Sequence, residues 1–163
     1  MTDLTTVATA QLGRPPRGLR GAAHTCSCGL PDVLETAPRL PDGEPFPTFY
    51  WLSCPRASSA IGRLESSGLM REMSRRLHAD PDLAAAYRAA HDDYLRRRDA
   101  VEPLGIGVSA GGMPDRVKCL HVLAAHALAA GRGVNPLGDE VLDLLVPWWA
   151  KGPCVETMTE EDE

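Results

Sequence analysis

Gly111-Gly112-Met113-Pro114-Asp115-Arg116-Val117-Lys118-Cys119-Leu120-His121 joins a glycine pair, a helix start, two cations, a thiol and an imidazole in one short run. Pro114 suits the first turn of a helix. The apolar residues after it extend the predicted helix to about Ala130, where Gly131-Arg132-Gly133 closes it. Upstream, Glu102 to Gly112 reads as a glycine-rich loop. Downstream, Asn135-Pro136 opens a last helix with Leu137, Val141, Leu144, Leu145 and Trp148 on one side.

Working back toward the N-terminus, Asp80-Pro81 supplies an N-cap and a first-turn proline for another helix. Leu83, Tyr87, Ala90 and Tyr94 face the core from it, and Arg96, Arg97 and Arg98 fall in its last turn. There they meet the negative end of the helix dipole, so the charge run needs no ligand. Ile61, Leu64, Leu69, Met73 and Leu77 form an apolar helical stripe, broken at Ser67-Gly68. Before Pro55 the pattern changes. Leu19 to Cys28 reads as a strand, and Asp32 to Leu40 and Phe46 to Ser53 flank the turn Pro41-Asp42-Gly43-Glu44. Thr2 to Leu12 is a short helix stopped by Gly13. A small antiparallel sheet of about three strands with one hairpin, then a mainly helical two-thirds, makes an α+β fold. The expected organisation is one domain over 1–150 and an acidic, disordered tail over 151–163.

At 163 residues, 44% hydrophobic and 24% charged, the chain has the makeup of a globular domain with one core. Its net charge of −5 comes mostly from the tail: Glu156, Glu160, Glu161, Asp162 and Glu163 account for five acids. Residues 1–150 hold 17 acidic and 16 basic side chains, so the basic excess of a nucleic-acid binder is missing. Met1-Thr2-Asp3-Leu4 lacks the start of a signal peptide, and no run is long and apolar enough for a membrane helix. A cytoplasmic protein without a membrane span is expected. In that compartment Cys26, Cys28, Cys54, Cys119 and Cys154 stay reduced.

Three kinds of chemistry suit these residues. Cys26, Cys28, Cys54 and Cys119 match a tetrahedral zinc site or an iron–sulfur cluster if the hairpin returns Cys54 to the Cys26/Cys28 pair. The alternatives are buried apolar thiols or a reactive thiol. Gly111, Gly112, Arg116 and Lys118 could hold a phosphate or another small anion at the helix start, with His121 as a catalytic acid/base. A structural turn with an ion pair, to Asp115 or Glu65, explains the same residues. On a helix begun at Pro114, His121 would point about 160° away from Cys119. His126, flanked by Val122 and Leu123, reads as a core histidine.

A resemblance adds to this. Leu12-Gly13-Arg14-Pro15-Pro16-Arg17-Gly18, Thr36-Ala37-Pro38-Arg39-Leu40-Pro41-Asp42-Gly43, Phe46-Pro47-Thr48, Ser66-Ser67-Gly68-Leu69-Met70-Arg71-Glu72-Met73 and the 111–121 stretch together resemble the domain of unknown function 501 family, found in actinobacteria and some other bacteria. The likeness covers roughly residues 3–145. It implies no particular activity. It does imply a genomic neighbourhood with a septum-formation initiator and an exopolyphosphatase-like enzyme, hence a link to cell division, envelope growth or phosphate metabolism. Three functions follow as expectations: a metal-binding protein, a small enzyme for an anionic substrate, or an interaction module for a division or envelope partner.

Overall fold

A computed structural model describes residues 3–156. Helix α1 (Leu4–Leu12) starts where the Asp3 carboxylate accepts from the Thr6 amide and ends at Gly13, whose φ of 74° a side chain would disfavour. Strands β1 (Leu19–Thr25), β2 (Pro31–Thr36) and β3 (Tyr50–Leu52) form an antiparallel sheet in that order. Helices α2 (Pro55–Glu65), α3 (Leu69–Ala79), α4 (Pro81–Val101), α5 (Leu120–Ala130) and α6 (Pro136–Leu144) follow, so the fold is α+β.

Local signals set most boundaries. Gly68, at φ 85°, separates α2 from α3. Asp80 caps α4 by accepting from the Asp82 and Leu83 amides, and Asn135 caps α6 by accepting from Gly138 N–H. Two sequence expectations change. The aromatic arm from Phe46 contributes only Tyr50–Leu52 to the sheet, paired as Val33 with Leu52 and Glu35 with Tyr50. Pro47 has no amide to donate, and the Phe49 amide donates to the Tyr94 hydroxyl at 2.6 Å.

The second change matters more. The helix expected from Pro114 begins at Leu120. Gly111 and Gly112 take φ of 66° and 91°. Their carbonyls accept from the Lys118 and Arg116 amides, while Val117 N–H donates to Ser74 Oγ and Tyr87 Oη donates to the Arg116 carbonyl. Residues 114–119 therefore spend their backbone hydrogen bonds on a folded loop.

Helix α5 is the centre. Leu120, Val122, Leu123, Ala124, Ala125, His126 and Ala127 are all buried, which leaves half-buried His121 as the only partly exposed residue in that span. It packs against α6, α2 and all three strands. His126 is the satisfied core histidine the sequence suggests. Asn135 Nδ2 donates to its Nδ1 at 3.1 Å, and its Nε2 meets Asp93 Oδ2 at 2.8 Å. Burial lowers its pKa, in keeping with a neutral ring.

The arginine run is more than a solvated end. Arg96 and Arg97 both pair with Asp93. Arg98 is 0% exposed and donates to the carbonyls of Pro47, Val108 and Ile106, tying two loops to α4. The start of the expected tail also packs: Arg56 donates to the Gly152 carbonyl, and Gln11 Nε2 approaches Cys154 Sγ at 3.4 Å. Residues 157–163, with four of the five acids of that tail, lie outside the described residues. No helix among the described residues is long and apolar enough to cross a membrane.

Candidate metal centre

Two helix ends meet at the site. Glu65 stands in the last turn of α2, where the dipole of its own helix disfavours a carboxylate. It serves the N-terminus of α5 instead. Its Oε1 accepts from the Leu120 amide at 2.9 Å and meets His121 Nδ1 at 2.8 Å. The other ring nitrogen, Nε2, reaches the Ser58 carbonyl at 3.0 Å. Cys119 is the N-cap residue of α5, with extended backbone (φ −149°, ψ 116°). Its sulfur, a ring nitrogen of His121 and a Glu65 oxygen all lie within 4.8 Å of one another.

This arrangement corrects the expected opposition of Cys119 and His121. That separation holds only if both residues are helical, and Cys119 precedes the first turn. The cluster lies half-buried beside a cavity of about 400 Å³, whose walls include Tyr50, Trp51, Leu52, Gly111, Cys119 and His121.

Electrostatics hold the ring in its charged form. The neighbouring Cys119 sulfur is the largest influence, and with Glu65 and the Ser58 carbonyl it outweighs burial to raise the His121 pKa to about 9. At neutral pH the residue is therefore a cation with an acceptor at each nitrogen, poised to give up a proton rather than take one. A raised folded-state pKa stabilises the protein fully below the unfolded value of about 6.5, and that contribution disappears as pH rises through about 9. Solvent screening of the half-buried pair limits it to about 1 kcal/mol. The wild-type Tm is expected to fall by ~2–4 °C more than that of His121→Gln between pH 6.5 and 9, as thermal unfolding followed by circular dichroism would show.

Among the described residues, no close group of three potential ligands includes Cys26, Cys28 or Cys54 from the expected set of four. Cys26 and Cys28 occupy the tight β1–β2 turn, where the Gly29 amide donates to the Cys26 carbonyl. Cys54 is the N-cap residue of α2 and interacts with Cys154; burial pushes its thiol pKa up to about 11. Cys119 stands with Glu65 and His121. Among the described residues, Glu65, Cys119 and His121 are the group of three potential ligands with this mutual proximity. The hairpin does return the chain toward β2, but Cys54 lies beyond the paired residues, at the entry to α2.

Gly111, Gly112, Arg116 and Lys118, the expected anion-binding residues, do line one cleft of about 680 Å³, together with His78 and Asp115. Their glycines have an internal explanation. A Cβ on Gly111 would sit 2.7 Å from Val122 Cγ1, and one on Gly112 would sit 2.8 Å from the Arg116 carbonyl oxygen. The close approach they permit is to this chain's own atoms. The first amide of α5 already has its anion in Glu65. Sequence reasoning missed Glu65 as a ligand candidate, although a carboxylate at the unfavourable end of its own helix signals a partner elsewhere.

No curated protein and no solved structure matches the chain. The family model described as "Protein of unknown function (DUF501)" matches residues 22–143, a span that includes most of β1, the other two strands, all three residues of the cluster and nearly all of α6. The chain belongs to the DUF501 family.

Proposed function

We propose that Glu65, Cys119 and His121 form a zinc centre with an open coordination position toward the Tyr50–Trp51–Leu52 cavity. The observation that carries this reading is the convergence of one carboxylate, one thiol and one imidazole within 4.8 Å. Three protein ligands with a fourth position left to water or substrate is the pattern of catalytic zinc. The hydrogen bond from Nε2 to the Ser58 carbonyl supports it, because a metal-binding histidine usually donates its second N–H to such a group. That leaves Nδ1, beside Glu65, as the ligand atom, which would release its proton as the metal binds. A cluster with one cysteine favours zinc over iron–sulfur, which draws mainly on thiolates. At such a position zinc would activate water or polarise a carbonyl or phosphoryl oxygen. Cytoplasmic residence, where Cys119 stays a thiol, belongs to the same reading.

Zinc titration of reduced, metal-free protein, followed by calorimetry, tests it. One equivalent should bind, with Glu65→Gln and Cys119→Ser each weakening the affinity about 10-fold or more. Wild-type binding no tighter than that of a folded Cys119→Ser/His121→Ala double variant would sink the reading.

A further inference from the structure

A second cavity, of about 280 Å³, lies where the β1–β2 turn approaches the end of α5 and the Trp148–Trp149 pair. Its polar wall includes His24, Cys26 and Asp32; the indoles of Trp148 and Trp149 supply apolar surface. The two indoles pack edge to face, with centroids 4.7 Å apart. None of these residues belongs to the Glu65–Cys119–His121 cluster.

Two buried atoms of residues that line it distinguish it from a packing gap. Asp32 is 1% exposed, and its Oδ1 meets His24 Nδ1 at 2.7 Å. Its other oxygen, Oδ2, is buried without a hydrogen-bond partner among the described residues, and so is the indole nitrogen of Trp148. Buried polar atoms left unpaired are uncommon in folded proteins, because each carries an uncompensated loss of hydration. Here an acceptor and a donor occur on residues lining the same small space. Burial also raises the Asp32 pKa, against the pull of His24. A cation beside it would offset that cost of burial.

The charge points to the ligand. Arg132, also on the wall, is committed to Asp143 at 2.7 Å. Cys26 is neutral as a thiol, and burial raises its pKa. His24 is the cation-capable neighbour, and it sits on Oδ1 and leaves Oδ2 open. An anion would be repelled by Asp32. An alcohol could donate to Asp32 and accept from Trp148, but it brings no opposite charge. An ammonium group supplies donors together with the opposite charge, and indole faces attract cations.

We propose that this cavity binds a small organic amine, with its ammonium group at Asp32 and its apolar body against Trp148 and Trp149. The site is separate from the zinc centre and does not depend on it.

Benzylamine is a suitable probe, with benzyl alcohol and benzoate as neutral and anionic counterparts. Titrations of the full chain by two-dimensional NMR should show saturable benzylamine binding that moves the Trp148 indole N–H resonance. Binding should weaken at least about tenfold for benzyl alcohol or for Asp32→Asn, and it should persist in Glu65→Gln. Equal affinity for amine and alcohol, or unchanged affinity in a folded Asp32→Asn protein, overturns the proposal. Should that variant fail to fold, wild-type protein still decides: an unmoved Trp148 indole resonance at saturating benzylamine counts against the site.

Discussion

Gly138→Ala is expected to destabilise the protein by about 3 kcal/mol or more, at the upper end of overpacking costs. Gly138 lies in α6, and a Cβ there would sit 2.2 Å from the Leu123 carbonyl oxygen and 2.9 Å from Ala127 Cβ. Both neighbours belong to α5. Backbone cannot swing aside like the end of a long side chain, so the two helices would have to separate. Gly62→Ala in α2 is the matched control, since nothing lies within 4 Å of its added Cβ. There the better helix propensity of alanine should give a gain of roughly 0.5–1 kcal/mol. Urea denaturation of the two variants should show midpoints displaced in opposite directions.

Arg98→Ala carries the second large effect, a loss of about 3 kcal/mol or more, since each acceptor left unsatisfied costs about 1–3 kcal/mol. The guanidinium has no exposure to solvent and gives hydrogen bonds to Pro47, Val108 and Ile106. Truncation deprives three carbonyls of a donor and empties the space between α4 and two loops. Arg98→Lys should recover little of the loss, because an ammonium on a flexible stem does not reproduce the spread of the planar fork. One of the affected loops leads into residues 111–119. Amide exchange there should accelerate along with the fall in global stability.

These two positions also mark where sequence reading succeeds and where it ends. Asp3 with Gly13, Asp80 with Pro81, and Asn135 with Pro136 are local signals, and the helices follow them. Pro114 carries a similar local signal, yet no helix begins there. The hydrogen bonds from Tyr87 and to Ser74 that hold that loop come from residues far away in sequence. Arg98 looks like its neighbours Arg96 and Arg97 in a charge run; only the return of residues 47, 106 and 108 makes it interior. The candidate site divides similarly. Cys119 and His121 are noticeable in sequence, but their third partner, Glu65, stands more than fifty residues earlier. Its role depends on two helix ends being brought together by tertiary packing.

The burial of α5 has a consequence for the order in which the chain is made. Ribosomal synthesis completes Leu120–Ala130 before Pro136–Leu144 exists to cover it. In that interval a nearly all-apolar helix has the sheet and α2 as partners but lacks α6. Nascent or truncated chains ending before Asn135 would present that face to one another, so association between chains competes with completion of the fold at this step.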